Sequence, residues 1–433
     1  MKILKYDTKI FGITLAILFL VGCTTPITPT PPPPLPTLPS VKTLPPPPQP
    51  SPTLIPLPSS IPTSLFKFIQ TVQVIPDDRF KDNTIPSVGG NILYVPATSH
   101  FIVMIKTFPP ATPLPLPPLN DPDDPGLDTC PRGVIGYKEY TTDMQPTGKY
   151  GYLSCATGDW NSLIIGNDIY VVKVWNEGPG TSDFWRLYKY DAISWKKLGE
   201  VDIPVDNTQE ISDGPTMSYI NGLVTVSGEY FPGGRPDGPL GRGSHHHFVT
   251  TDLTLMGEKI LVSPDVPSHT PEVVLQQLAN GDILMFAASA YFYGDLVVLR
   301  FDKDWKYIDE HTLRSNAFFP LGSVAYGGYW FVAYIDVSTW KAGDPHWPAG
   351  EAPYRNVGFA AFDANWNLVQ NEKVTDFDIV PAGVGRTEGE GPSVQLVGNR
   401  LYVSYTVSKF EAGTPKLISG QTFVNVYELN QTP

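Results

Sequence analysis

Charge is scarce in this 433-residue chain: Asp, Glu, Lys and Arg together make up 17% of it. Basic residues are the scarcer sign, 30 against 43 acidic, for a formal net charge of −13 at pH 7. Four Lys and one Asp fall in residues 1–64, so the acidic excess belongs to residues 65–433. Such a surface lacks the electrostatic footprint of a nucleic-acid binder, and no nucleic-acid partner is expected. Cys is limited to three residues, with no CxxC pair to suggest a metal or redox site. Apolar residues at helical spacing are rare, which excludes a helical bundle. No GxSxG elbow, HExxH pair or P-loop is present. What is plentiful is Pro (47), Gly (38) and aromatic side chains (12%), a share too high for a wholly disordered chain.

The first two dozen residues carry an address. Lys2, Lys5 and Lys9 precede an apolar run from Ile10 to Val21, then Gly22 and Cys23. A basic start, a short hydrophobic stretch and small residues at its end describe a secretory signal peptide, and the run falls short of the roughly 20 residues a span requires. Leu20-Val21-Gly22-Cys23 resembles the lipobox of bacterial lipoproteins. That resemblance implies cleavage after residue 22, acylation of Cys23 (a palmitate-type modification) and a membrane partner reached through the lipid. Two or three acyl chains would anchor durably where one is marginal. Thr24 rather than Asp follows the Cys, which by the family's rule favours the outer membrane where the host has one.

Composition then changes abruptly. Seventeen of the 39 residues from Pro26 to Ser64 are Pro, and Lys42 is the one charge. Such a segment favours polyproline II and cannot bury a core; at about 3.1 Å per residue it would hold a domain on the order of 100 Å from its anchor. The expected organisation is a signal peptide over 1–22, a lipidated Cys and proline stalk over 23–64, and a folded domain over 65–433. With Cys23 acylated, Cys130 and Cys155 remain. In an exported compartment they are expected to pair, closing a loop of about 25 residues worth roughly 3 kcal/mol by loop-closure entropy.

Self-similarity is the strongest signal in the rest. Six times a short polar motif leads through an Asn/Gly turn into an apolar strand: Thr84–Ser87, Asp159–Ser162, Asp213–Thr216, His269–Glu272, Phe318–Leu321 and Glu390–Ser393. Most copies are followed by a second hairpin marked by Asp and then Trp, as in Asp191 and Trp195, Asp302 and Trp305, and Asp363 and Trp366. Two hairpins make a four-stranded sheet, and six such units predict an all-β propeller of six blades, or five if one repeat is misassigned. The sixth copy lacks a fourth strand, while the strand-like run Phe66–Ile75 is unassigned. Pairing that run with the last blade would close the ring.

Alignment of the repeats aligns residues in space. Thr84, Asp159, Asp213, His269, Phe318 and Glu390 should ring the mouth of the central channel, with Trp160, Arg386 and Glu388 close by. Long loops on the same face carry Arg235, Arg242, Trp340, His346, Trp347, Tyr354 and Arg355. Aromatics beside Arg and carboxylates suit sugars, whose ring faces stack while their hydroxyls seek charged hydrogen-bond partners. Trp160, His269, Arg242, Trp347 and Arg386 are therefore candidate ligand contacts for a glycan or another extracellular polymer. The string His245-His246-His247 is separate. Alternation along a strand puts His245 and His247 on one face, where Glu229, Asp213 or His269 would complete a divalent-metal site. A solvated turn is the other reading of the same string.

Glu390-Gly391-Pro392-Ser393, continuing through Gly398 to Leu401–Tyr405, resembles the general-acid strand of the five-bladed furanosidase-type glycoside hydrolases, which include family 43. Asp213-Gly214-Pro215 resembles their auxiliary Asp strand less closely. The resemblance implies Glu390 as general acid, with Asp159 or Asp213 as base. It departs from the family at Thr84, where the base Asp would stand, and in the spread of acids over copies two, three and six. The chain is similar in expected fold to six-bladed sialidases, although it has no SxDxGxxW box. Two functional classes follow: a surface recognition module, or a glycoside hydrolase. A structural part of a surface assembly is the third.

Overall fold

A computed structural model describes residues 64–74, 87–107, 134–155, 160–175, 184–205, 210–230, 243–262, 273–288, 295–337, 354–377, 384–411 and 417–430. The chain divides into two units, Met1–Ser51 and Pro52–Pro433, and every described residue belongs to the second. Cys23 and the proline run before Ser64 lie outside the described residues.

The described elements are all strands, gathered into six blades of four antiparallel strands. Strand β1 (Phe66–Val74) stands apart from its sequence neighbours. Blade one is β2 (Ser87–Val95), β3 (His100–Thr107), β4 (Val134–Thr141) and β5 (Pro146–Cys155). Blade two is β6 (Trp160–Ile165), β7 (Asp168–Trp175), β8 (Phe184–Asp191) and β9 (Lys197–Pro204). Blade three is β10 (Glu210–Ile220), β11 (Leu223–Tyr230), β12 (Gly243–Val249) and β13 (Leu255–Val262). Blade four is β14 (Val274–Gln277), β15 (Ile283–Ala288), β16 (Leu296–Phe301) and β17 (Tyr307–Arg314). Blade five is β18 (Ala317–Tyr326), β19 (Tyr329–Asp336), β20 (Tyr354–Phe362) and β21 (Leu368–Lys373). Blade six is β22 (Val384–Val397), β23 (Arg400–Glu411) and β24 (Leu417–Leu429), completed by β1.

The fourth strand of the last blade is thus the first strand of the domain, as the unassigned run at Phe66–Ile75 predicts. Its register runs from Phe66 opposite Leu429 to Val74 opposite Thr422. Gln370 on β21 fastens the entry point: the Leu65 amide donates to its Oε1 at 2.6 Å, and its Nε2 donates to the Phe66 carbonyl at 3.1 Å.

Burial follows position in the blade. Second strands are sandwiched between neighbouring blades and read as continuous apolar runs; in β7, six successive residues are buried. Fourth strands lie at the rim and alternate, as β9 does along Lys197–Pro204. Each of the six seams between blades holds a buried cluster, and a further one of Ala288, Ile335, Val337, Val357 and Tyr405 joins blades four, five and six. Leu93 and Ile135 meet Val171 and Tyr188 between blades one and two. Trp185 meets Val224 between two and three, and Leu261 meets Leu299 between three and four. Phe286 meets Tyr334 between four and five, and Phe331 meets Phe66 and Val403 between five and six. The sixth cluster, with Phe101 and Val103 against Tyr402 and Val424, joins blade six to blade one and closes the ring.

The turns between third and fourth strands supply a recurrent wedge. In blades one to five, one apolar residue of this turn sits in the left-handed region: Met144, Trp195, Leu253, Trp305 and Trp366, with φ between 58° and 66°. That conformation costs a side-chain-bearing residue roughly 1–2 kcal/mol, and Gly would adopt it freely. The large side chain is retained because it packs back onto the preceding blade. Trp195 stacks on Tyr137 with centroids 3.4 Å apart, Trp305 lies against His246 and Phe248, and Trp366 meets Phe286. Burying a large side chain contributes about 1.5–3 kcal/mol, enough to offset the turn. Blade six has no such turn, and at its seam with blade five Leu65 is buried with Leu429 against Phe331 and Phe359.

Trp195→Ala should therefore lower stability by about 3–5 kcal/mol, because it empties a seam between blades while keeping the turn strained. Urea unfolding of the purified protein measures this; a loss under about 1 kcal/mol would show that the wedge is not a principal seam contact.

Candidate functional site

First strands begin, and second strands end, on one face of the ring, the mouth. Inner strands β2, β10, β18 and β22 each shift register near this face. In β10 the pairing with β11 passes from Ile211 opposite Glu229 to Thr216 opposite Ser227, and in β22 it passes from Glu390 opposite Thr406 to Ser393 opposite Ser404. In these two the irregularity contains a Gly at positive φ, Gly214 at 71° and Gly391 at 55°. Asp213 and Glu390 are the residues immediately before those glycines, at the mouth ends of blades three and six. Arg386 also lies on β22, while Asp159, His269, Arg242 and Trp347 lie outside the described residues. The inner strands crowd closely near this end: a Cβ on Gly322 of β18 would meet the Val394 amide nitrogen of β22.

One group of described side chains at the mouth belongs to blade two. Trp160 opens β6 and packs against the seam with blade one. Lys173, fully buried on β7, donates from Nζ to the Cys155 carbonyl at 3.2 Å and lies 4.7 Å from the Tyr188 ring centre. Trp175 ends β7 and Phe184 begins β8, on either side of the loop between second and third strands. The Arg186 guanidinium lies 4.6 Å from the Trp175 ring centre and 5.2 Å from that of Phe184. Asp202 holds it from the rim strand, accepting from Nε at 2.5 Å and from Nη2 at 2.9 Å. These hydrogen bonds raise the guanidinium pKa further above its usual value. The result is an aromatic and cationic platform with its cation fixed in place. Trp160 was expected at the mouth; Trp175, Phe184, Arg186 and Lys173 were not, although their signal was the aromatic residues flanking a loop on that face.

The histidine string corrects an expectation. It is not a solvated turn: His245, His246 and His247 are all buried, in the middle of β12. Apolar seams on both sides of the blade make the strand's whole length interior, whatever its polarity. His246 points toward blade four, with its Nδ1 at 2.8 Å from Ser227 Oγ and its Nε2 at 2.7 Å from Ser244 Oγ. His245 and His247 share the opposite side, as alternation predicts, and His247 lies edge-on to Trp185 of blade two. Register places Glu229 opposite Ser244, on the side of His246, so it is not the carboxylate that joins them. Glu258 is. It pairs with His247 across the β12–β13 hairpin, and its Oε2 lies 3.0 Å from His245 Nε2 and 3.9 Å from His247 Nδ1. Donor atoms of the three lie within 4.8 Å of one another, a group able to hold a metal ion.

No family model and no curated protein sequence matches the chain. Among solved structures, one similar to it is a protein of unknown function from Dyadobacter fermentans, 11% identical, with a TM-score of 0.56 over 84% of this chain and 100% of that one. A subtype N10 neuraminidase-like protein of A/little yellow-shouldered bat is 10% identical, with a TM-score of 0.43 over 84% of this chain and 100% of that one. A thermostable family-43 glycoside hydrolase is 12% identical, with a TM-score of 0.39 over 64% and 93%. The first likeness shows the propeller fold alone, and the other two are too distant to argue from.

His246 is structural by this geometry. Ser244→Ala, which strips a hydroxyl partner from a fully buried imidazole, should cost about 1–3 kcal/mol in urea unfolding at neutral pH; no loss would mean that the bond to Ser227 suffices.

Proposed function

We propose that this chain is a lipoprotein of the cell envelope, acylated on Cys23, whose propeller stands outside the cytoplasm on a proline stalk and binds carbohydrate at its mouth. The single observation that carries the binding reading is the platform of Trp175, Phe184 and Arg186, beside Trp160, at the mouth end of blade two. Flat apolar rings next to a guanidinium held rigid by Asp202 offer what a sugar needs: a surface for its apolar face and fixed donors for its hydroxyls or carboxylate. The anchor reading is supported by the basic and apolar start of the chain and by Leu20-Val21-Gly22-Cys23. Export also supports a bridge between Cys130 and Cys155. The latter is buried at the end of β5 opposite Val134, and Cys130 is four residues before Val134 in the sequence.

A second reading, glycoside hydrolysis, is favoured by the positions of Asp213 and Glu390, each before a left-handed Gly in an irregular inner strand. In it Glu390 protonates the leaving oxygen while Asp213 or Asp159 serves as base. Blades three and six are opposite in the ring, whereas Asp159 directly precedes Trp160 of blade two in the sequence, two places from blade six, which makes it the closer candidate base.

Changing Cys23 to Ala should move the protein from membrane to soluble fractions; an unprocessed, membrane-bound variant would refute the anchor. For the propeller, a glycan array combined with a hydrolysis screen tests both readings. Binding without turnover, weakened about tenfold by Trp175→Ala, supports recognition, and a tenfold loss corresponds to about 1.4 kcal/mol. Turnover abolished by Glu390→Gln with binding retained supports the hydrolase. No binding to any glycan sinks both and leaves a structural role in a surface assembly.

A further inference from the structure

On the rim half of the seam between blades two and three, two residues in from the mouth end of β12, one carboxylate faces two imidazoles. We propose that His245, His247 and Glu258 bind a divalent ion of the zinc class, through His245 Nε2, His247 Nδ1 and a Glu258 carboxylate oxygen.

Geometry is the first ground. A tetrahedral ion with ligand bonds of about 2.0–2.2 Å needs donor atoms about 3.4 Å apart. Glu258 Oε2 lies 3.0 Å from one imidazole nitrogen and 3.9 Å from the other, values on either side of that distance. Movements of a few tenths of an ångström would equalise them. The 3.9 Å contact is too long for a hydrogen bond but within reach of a cation shared by the three groups.

Preorganisation is the second. The imidazoles sit two residues apart on a strand, so their side chains emerge on one side, with ring centres 4.0 Å apart. Trp185 meets His247 edge-on at 5.5 Å, and Tyr230 meets His245 edge-on at 5.9 Å, which restrains both rings. Access is the third. Both histidines are nearly inaccessible, whereas the Glu258 side chain is 57% exposed, so an ion can enter from solvent past the carboxylate. Donor chemistry selects the metal: two imidazoles favour zinc, copper or nickel over calcium or magnesium, which prefer all-oxygen shells. Three protein donors leave a fourth position for water or an added ligand.

The test uses the full chain, purified in detergent, stripped with chelator and dialysed. Titration with Co²⁺ should give the intense visible bands of a low-symmetry, four- or five-coordinate ion, saturating near one equivalent, and Zn²⁺ should bleach them. Zn²⁺ should raise the thermal midpoint, and Mg²⁺ should not. Glu258→Gln, at an exposed position that leaves the fold intact by circular dichroism, should weaken Zn²⁺ binding at least about tenfold. His311→Gln, on the exposed rim of blade four, should leave it unchanged and so control for adventitious surface histidines. The proposal is overturned if the wild-type chain shows no saturable Zn²⁺ or Co²⁺ binding, or if Glu258→Gln binds Zn²⁺ within about threefold of wild type.

Discussion

The ring depends on one pairing, that of β1 with β24. Every other blade is assembled from consecutive hairpins, which need only local turns to form. Blade six must recruit its outer strand from the opposite end of the domain, and contacts such as that between Asn430 and Ser64 span 366 residues. Without that pairing, blade six lacks its rim strand, and Phe66, Val74 and Leu65 no longer cover the two seams that flank it. Ring closure is in this sense a tertiary act that makes the local hairpins mutually dependent. The entropic cost of joining ends so far apart falls on this step, which argues that the ring closes late in folding.

The wedges at the left-handed turns show how cooperativity is distributed around the ring. In blades one to five a turn residue is buried or half-buried in the seam with the blade before it, so none of these blades completes its third-to-fourth turn contacts alone. The local conformation is unfavourable and the long-range burial compensates for it. Trp195 on Tyr137 and Trp305 on His246 are the clearest cases. The arrangement also explains why Asp precedes Trp at these turns. Asp302 and Asp363 each accept hydrogen bonds from amides two and four residues on, holding the turn that presents the ring.

Much of this was legible in the sequence, because repetition converts weak local signals into a strong global one. The six inner-strand motifs, the Asp-then-Trp hairpins and the orphan strand near Phe66 together lead to a six-bladed closed ring. The histidine string was misleading for a physical reason. Three successive polar residues look solvated by any local rule, but β12 is enclosed by two seams, and Ser227 and Ser244 satisfy His246 inside the blade. Glu258 was hidden because its partnership is set by hairpin register: the tight turn at Thr250–Thr254 and the bulge beside Phe248 bring it opposite His247. At the mouth, spacing located the two acids before glycines, Asp213 and Glu390. It gave no way to anticipate the rim residue Asp202 that fixes Arg186 over Trp175.

The chain enters the propeller at Ser64, on the pole opposite the mouth, because β1 starts beside the end of β24 and runs toward the mouth. A pull exerted between Ser64 and anything gripped at the mouth would therefore act along the length of β1. Its antiparallel hydrogen bonds to β24 would be loaded in shear and share the force, where a perpendicular pull would peel them one at a time. The strand that closes the ring is also oriented as a mechanical fastening, and the Gln370 contacts at Leu65 and Phe66 lie where such a load would first be felt.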